Sequence, residues 1–184
     1  MTSQRRIVLV TGPSGAGRST AIHVLEDLGF EAIDNLPMGL LLRLLDSADS
    51  DRPMALGIDA RNRDFSTIGF IELAEKLGRL AQVDLTVLYL DCTDDVLVRR
   101  FSETRRRHPV AKNASPETGV QREKELLAPI REIADTLIDT SLLNVHQLRE
   151  EVENWFAPQG GRHLAVSIES FSYKRGLPRG LDMV

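Results

Sequence analysis

The spacing of apolar residues changes period repeatedly along the chain, and each change marks the passage from strand to helix or back. Ile7-Val8-Leu9-Val10 is an unbroken apolar run rich in β-branched residues, as expected of a strand buried on both faces, and predicts a first strand over about 6–11. Ala21, Val24, Leu25 and Leu28 then recur at helical spacing, and Gly29 is placed to end that helix in a left-handed cap. Phe30 to Asp34 reads as a second strand, Asn35-Leu36-Pro37 as a turn, and Leu40 to Leu45 as a short helix packed on the sheet. After a polar loop from Ser47 to Pro53, Met54 to Asp59 gives a third strand that ends in a carboxylate.

Phe70, Leu73, Ala74, Leu77, Leu80 and Ala81 form a helical stripe, and Leu85 to Asp91 a nearly continuous apolar fourth strand. Thr93 is suited to cap the next helix, with Asp94 and Asp95 in its first turn. Residues 110–118 are rich in Ala, Ser, Pro and Asn and read as a mobile connection. Val120, Leu127, Ile130 and Ala134 restore the helical period, Pro129 predicts a kink or break within it, and Glu123 and Glu125 read as solvated. Thr136 to Asp139 is the fifth strand, and a last helix starting at Thr140 or Ser141 presents Val145, Leu148, Val152, Trp155 and Phe156 on one face. Pro158-Gln159-Gly160-Gly161 is a linker by composition. Leu164 to Phe171 alternates like a strand with nothing after it to pair with. The expected division is a domain over 1–158, followed by a linker and the opening of a further, absent domain over 159–184.

Composition narrows the class without choosing the chemistry. The 184 residues suffice for one sizeable α/β domain, and 42% hydrophobic with 27% charged residues is the balance of a globular protein. A formal net charge of −4 gives no global attraction to nucleic acid. The single cysteine, Cys92, excludes an internal disulfide and fits a reducing, cytoplasmic setting. It reads as a small buried residue, because no positive residue stands beside it. The four histidines lack metal-ligand spacing. No apolar run approaches the ~18 residues of a membrane span.

The chemistry is concentrated between the first strand and the first helix. Gly12-Pro13-Ser14-Gly15-Ala16-Gly17-Arg18-Ser19 has the spacing of a phosphate-binding loop, and the strand and helix on either side are the context that motif needs. Its glycines allow positive φ, so that successive N–H groups can converge on a phosphate at the positive end of the helix. Ser19 would supply the hydroxyl that holds Mg²⁺. Arg18 stands where lysine is usual. A planar guanidinium preserves binding, which the backbone mostly provides, but changes how developing charge is met, so slow hydrolysis is expected.

Two further groups carry competing readings. Asp59 at the end of the third strand fits a Walker B carboxylate holding Mg²⁺ or water, and equally a helix cap. Arg61, Asn62 and Arg63 follow it, either at a ligand edge or in a solvated turn. Arg99, Arg100, Arg105, Arg106 and Arg107 suit multi-oxygen anions, as a lid over phosphates, or else a solvated helix end.

Taken together, these blocks resemble the RapZ/YvcJ family of nucleotide-binding proteins. The matching stretches are the loop at 12–19, Gly29-Phe30, Asp34-Asn35-Leu36-Pro37, Asp59-Ala60-Arg61-Asn62 and Phe101 to Pro109. They continue through Glu123 to Leu127, Ile138-Asp139-Thr140-Ser141, Val145 to Leu148 and Phe171 to Pro178. The resemblance implies an α/β, three-layer P-loop NTPase fold of nucleoside-monophosphate-kinase type, with a mostly parallel five-stranded sheet in the order 2-3-1-4-5. It implies ATP binding at Gly12 to Ser19, a guanine-nucleotide segment at Asp59, Ala60, Arg61 and Asn62, and weak hydrolysis of ATP and GTP. An adapter role toward RNA and a ribonuclease would rest on the absent C-terminal domain, and a homo-oligomer stays open. The competing reading is a small-molecule kinase, to which Leu88 to Cys92 and the arginine-bearing helix are similar. A switch GTPase is disfavoured, because no N-K-x-D motif is present.

Overall fold

The structure is a computed structural model that describes residues 4–35, 37–47, 52–60, 62, 64–104 and 115–157. Five strands, β1 (Arg5–Thr11), β2 (Glu31–Ile33), β3 (Met54–Gly57), β4 (Val83–Asp91) and β5 (Thr136–Asp139), form one sheet in the order β2-β3-β1-β4-β5. Every pairing is parallel, with Ile7 opposite Met54 on one side and Leu85 on the other. Both the α/β class and the strand order implied by the resemblance are therefore observed.

Alternation along β1 builds two cores at once. Val8 and Val10 face a layer that contains α1 (Arg18–Asp27), α4 (Asp94–Thr104) and α6 (Val145–Phe156), where Leu25, Leu97, Val152 and Phe156 are buried. Ile7 and Leu9 face α2 (Met38–Ser47), α3 (Thr67–Gly78) and most of α5 (Pro116–Glu132), where Leu41, Phe70, Leu127 and Ile130 are buried. A strand buried on both faces reads as a continuous apolar run, which is why β1 and β4 stood out in the sequence.

Several expected boundaries move for local reasons. Leu40 to Leu45 belongs to the longer α2. Helix α3 starts after Ser66, whose side chain accepts the Gly69 N–H, and ends short of Leu80 and Ala81. Residues 116–118, expected to be mobile, form the first turn of α5, because Ser115 caps it and Pro116 occupies the position where a missing N–H costs nothing. Pro129 does not break α5, which runs on to Glu132. Lying so close to the helix end, it removes a hydrogen bond only from the last turns.

The start of α6 is also corrected. Neither Thr140 nor Ser141 caps it; Asn144 does, in a capping box with Gln147. Its buried face consists of Leu148, Val152 and Phe156, while Val145 and Trp155, expected on that face, are exposed. Cys92 is buried, as expected. The linker and strand expected over 159–184 lie outside the described residues.

Candidate phosphate-binding site

Gly12, Gly15 and Gly17 all take positive φ, with values of 144°, 91° and 102°. At Gly12 the need for glycine is steric as well, because a Cβ would overlap the Leu90 carbonyl on the neighbouring strand. At Gly17 a Cβ would come within 2.6 Å of the Leu148 side chain from α6. The loop thus lies between β4 and α6; the Leu90 backbone requires glycine at position 12, and the positive φ favours it at position 17.

The protein holds this loop by its carbonyl groups. Arg100 on α4 donates to the Gly15 carbonyl at 2.9 Å and to the Thr140 carbonyl at 2.8 Å. The Thr140 hydroxyl donates to the Ala16 carbonyl at 3.0 Å. In a trans peptide the N–H points opposite to the carbonyl, so fixing the Ala16 carbonyl on Thr140 turns the Gly17 N–H the other way. Thr140 itself is fixed just past β5, where its N–H donates to the Asp91 carbonyl at 2.9 Å. Arg100, expected as a lid or anion contact, bonds the loop and also lines the cavity beside it. Arg99 lies near it on a cavity wall, while Arg105, Arg106 and Arg107 lie outside the described residues.

That cavity, about 560 Å³, opens beside the loop. Gly15, Gly17 and Thr20 line one side, Arg99 and Arg100 another, and the chain from Thr140 to Val145 the third. The third wall is pinned by Ser141, whose N–H and hydroxyl both donate to Asp139 and whose Oγ accepts the Thr93 N–H. These bonds hold the Asp139 carboxyl below the usual aspartate range.

Arg18 and Ser19 look toward the opposite edge of the sheet. The Arg18 guanidinium is 8% exposed and meets Asp59 at 2.6 Å and Asp34 at 3.3 Å. The Ser19 hydroxyl donates to the other oxygen of Asp34 at 3.3 Å. Asp34 is itself held in place. Gly57 leaves it the room a Cβ would take, and Asn35, at φ 60°, returns its N–H to Asp34 Oδ1 at 2.8 Å. Asp59 is 1% exposed and lies just beyond the end of β3, so Arg18 is its neutralising partner in a desolvated setting. Asn62 closes a turn onto the Asp59 carbonyl, and Arg61 and Arg63 lie outside the described residues. Among the described residues no cluster of three His, Cys, Asp or Glu side chains is arranged to hold a metal.

Glu123 overturns its expected exposure. It is 1% exposed, and its carboxylate accepts the Ser14 N–H at 3.0 Å and the Ser14 hydroxyl at 2.8 Å. A signal for this burial was present in the sequence. Val120, Glu123, Leu127 and Ile130 are spaced by three and four, so Glu123 occupies a core position of the apolar stripe. Asp34 and Thr140 were likewise not singled out, although each directly follows a strand at the carboxyl edge of the sheet.

A glycine loop of this geometry between a strand and a helix is shared by many proteins, and the family model that fits the chain narrows the choice. The model for the RapZ-like N-terminal domain matches residues 5–160. The chain belongs to the RapZ-like family. A nucleotide-binding protein of Ruegeria pomeroyi is 72% identical over 175 residues, covering 95% of this chain and 62% of the relative. One from Roseobacter denitrificans is 60% identical over 183 residues, covering 100% of this chain and 62% of the relative. This RapZ-like chain therefore spans about 62% of the length of those relatives.

Among solved structures, shikimate kinase from Acinetobacter baumannii in complex with shikimate superimposes with a TM-score of 0.58 at 20% identity, over 84% of this chain and 93% of that one. The YorR protein of Bacillus subtilis, in complex with phosphorylated GDP, gives 0.56 at 11% identity, over 81% of this chain and 94% of that one. At these identities the likeness places the RapZ-like domain among α/β P-loop kinase folds and says nothing of its substrate. Among the described residues no helix is long and apolar enough to cross a membrane.

Proposed function

We propose that the chain is a nucleotide-binding regulatory domain that takes ATP and GTP with Mg²⁺ and hydrolyses them weakly. The observation that carries this reading is the loop at Gly12 to Ser19, whose Gly15 and Ala16 carbonyls are bonded to Arg100 and Thr140 beside a cavity of about 560 Å³. Phosphates would lie against the loop amides and the start of α1, with the nucleoside in the cavity. The relatives from Ruegeria pomeroyi and Roseobacter denitrificans bear the name nucleotide-binding protein, which supports this class of ligand.

Weak turnover follows from where Arg18 goes. Its guanidinium is shared between Asp59 and Asp34, so the cation best placed to meet charge developing on the terminal phosphate is already neutralised. Ser19 and Asp34 offer the hard oxygen donors that Mg²⁺ prefers, whereas Asp59 reaches the site through Arg18. Mg²⁺, when bound, would bridge phosphate oxygens and spread their charge. A guanine nucleotide recognised at Asp59 to Asn62 would compete with Arg18 for the Asp59 carboxylate. Any RNA or ribonuclease contact is assigned to the remaining length of the family's proteins, in keeping with this chain's net charge of −4.

The second reading, a small-molecule kinase, draws on the two carboxylates Asp34 and Asp59 at strand ends beside the loop. Titrating ATP, GTP and their slow analogues, with binding and hydrolysis measured separately, tests the first reading. Absence of binding by either nucleotide with Mg²⁺ would end it. Phosphoryl transfer to a nucleoside monophosphate faster than to water would replace it with the second.

A further inference from the structure

Glu123 is a buried group of the site that nucleotide binding as described leaves without a task. Its two carboxylate oxygens take the N–H and the hydroxyl of Ser14, which are donors of the phosphate loop itself. Two oxygens of an anion received by N–H and O–H donors of a glycine loop is the bonding pattern of a phosphate group.

The direction of the ligand follows from the cavity. Gly15, Gly17 and Thr20 line it, whereas Ser14 and Glu123 do not. A nucleotide whose nucleoside part fills that cavity runs its phosphate chain away from it along the loop. Its outermost phosphate then arrives where Ser14 is held by Glu123. Arg18 offers no compensating charge there, because Asp34 and Asp59 hold it.

We infer that Glu123 stands in for the terminal phosphate and makes the site selective for nucleoside diphosphates over triphosphates. This rests on the nucleotide-binding reading above. A diphosphate ends short of Ser14 and leaves the clasp intact. A triphosphate brings a second anion to a buried carboxylate, so it must either suffer their repulsion or pull Glu123 from its two donors.

The test is calorimetry on the chain with Mg²⁺ and either ADP or a non-hydrolysable ATP analogue, for the wild type and Glu123→Gln. The carboxamide can still accept from Ser14 but carries no charge. The wild type is expected to bind ADP at least about tenfold more tightly than the analogue, and the variant to shrink that ratio about tenfold. Equal or tighter binding of the analogue by the wild type, or an unchanged ratio in the variant, overturns the proposal while leaving nucleotide binding intact. Binding of neither ligand by the wild type overturns both. The wild-type ratio alone decides the matter if Glu123→Gln does not fold.

Discussion

Arg18 follows the last glycine of the loop and spends its charge on two aspartates. Lysine there has one point of charge and cannot fork between Asp34 and Asp59 as the guanidinium does. Arg18→Lys is therefore expected to raise turnover about tenfold while changing nucleotide affinity by less, because the freed ammonium acts where charge develops. Steady-state hydrolysis beside equilibrium binding checks this, and equal changes in both would mean that residue 18 contributes uniform binding only. The loop glycines and Arg18 were legible because their spacing follows the phosphate-loop motif, and the glycines are dictated by positive φ and close contacts. Asp34 carries no such local signal, because its importance lies in a partner sixteen positions away along the chain, Arg18. At Glu123 charge argues for solvent and periodicity for the core. Its place on the α5 stripe was the better guide, and a buried carboxylate at such a position calls for donors.

At the scale of elements, α6 joins the loop to the last part of the fold. Its buried stripe packs against α1, and Leu148 on that stripe also touches Gly17 of the loop. The helix begins with the reciprocal bonds of Asn144 and Gln147, so Asn144→Ala removes a side-chain acceptor for an otherwise orphaned N–H. The expected loss is about 1 kcal/mol of stability, read as a lower urea midpoint with an unchanged m-value. Loosening that helix start should also weaken nucleotide binding, since Asn144 and Leu148 both border the cavity. The sequence placed this helix correctly but started it at Thr140 or Ser141, because both are good caps by type. The structure uses them otherwise: Thr140 holds the loop, and Ser141 holds Asp139. Such tertiary employment cannot be read from a cap preference.

For the whole molecule, the order β2-β3-β1-β4-β5 puts the loop-bearing strand in the middle and divides its surroundings. The carboxylates lie toward β2 and β3, the cavity toward β4 and β5. Apolar runs and helical periods made the α/β alternation legible, but they say nothing of which strand neighbours which; the order came from the family resemblance. Global stability should carry the mark of Tyr89, fully buried in β4, whose hydroxyl burial and nearby Asp91 push far above the ordinary tyrosine range. A raised acid in the native state favours folding while tyrosine is neutral in both states, and that contribution is lost as pH rises above about 10, where the unfolded chain ionises first. Tyr89→Phe is therefore expected to flatten the fall in stability above about pH 10, measured by urea unfolding from about pH 9 upward.

The outward bonds from Arg100 and Thr140 to the loop carbonyls have a kinetic consequence. A receptor whose loop backbone is already fastened needs little rearrangement for a short guest, so ADP should arrive at a speed that climbs in proportion to its concentration. A longer guest must wait for the Ser14–Glu123 latch to come undone, and its observed rate should level off at high concentration. Stopped-flow mixing would separate the two arrivals by the shape of their curves.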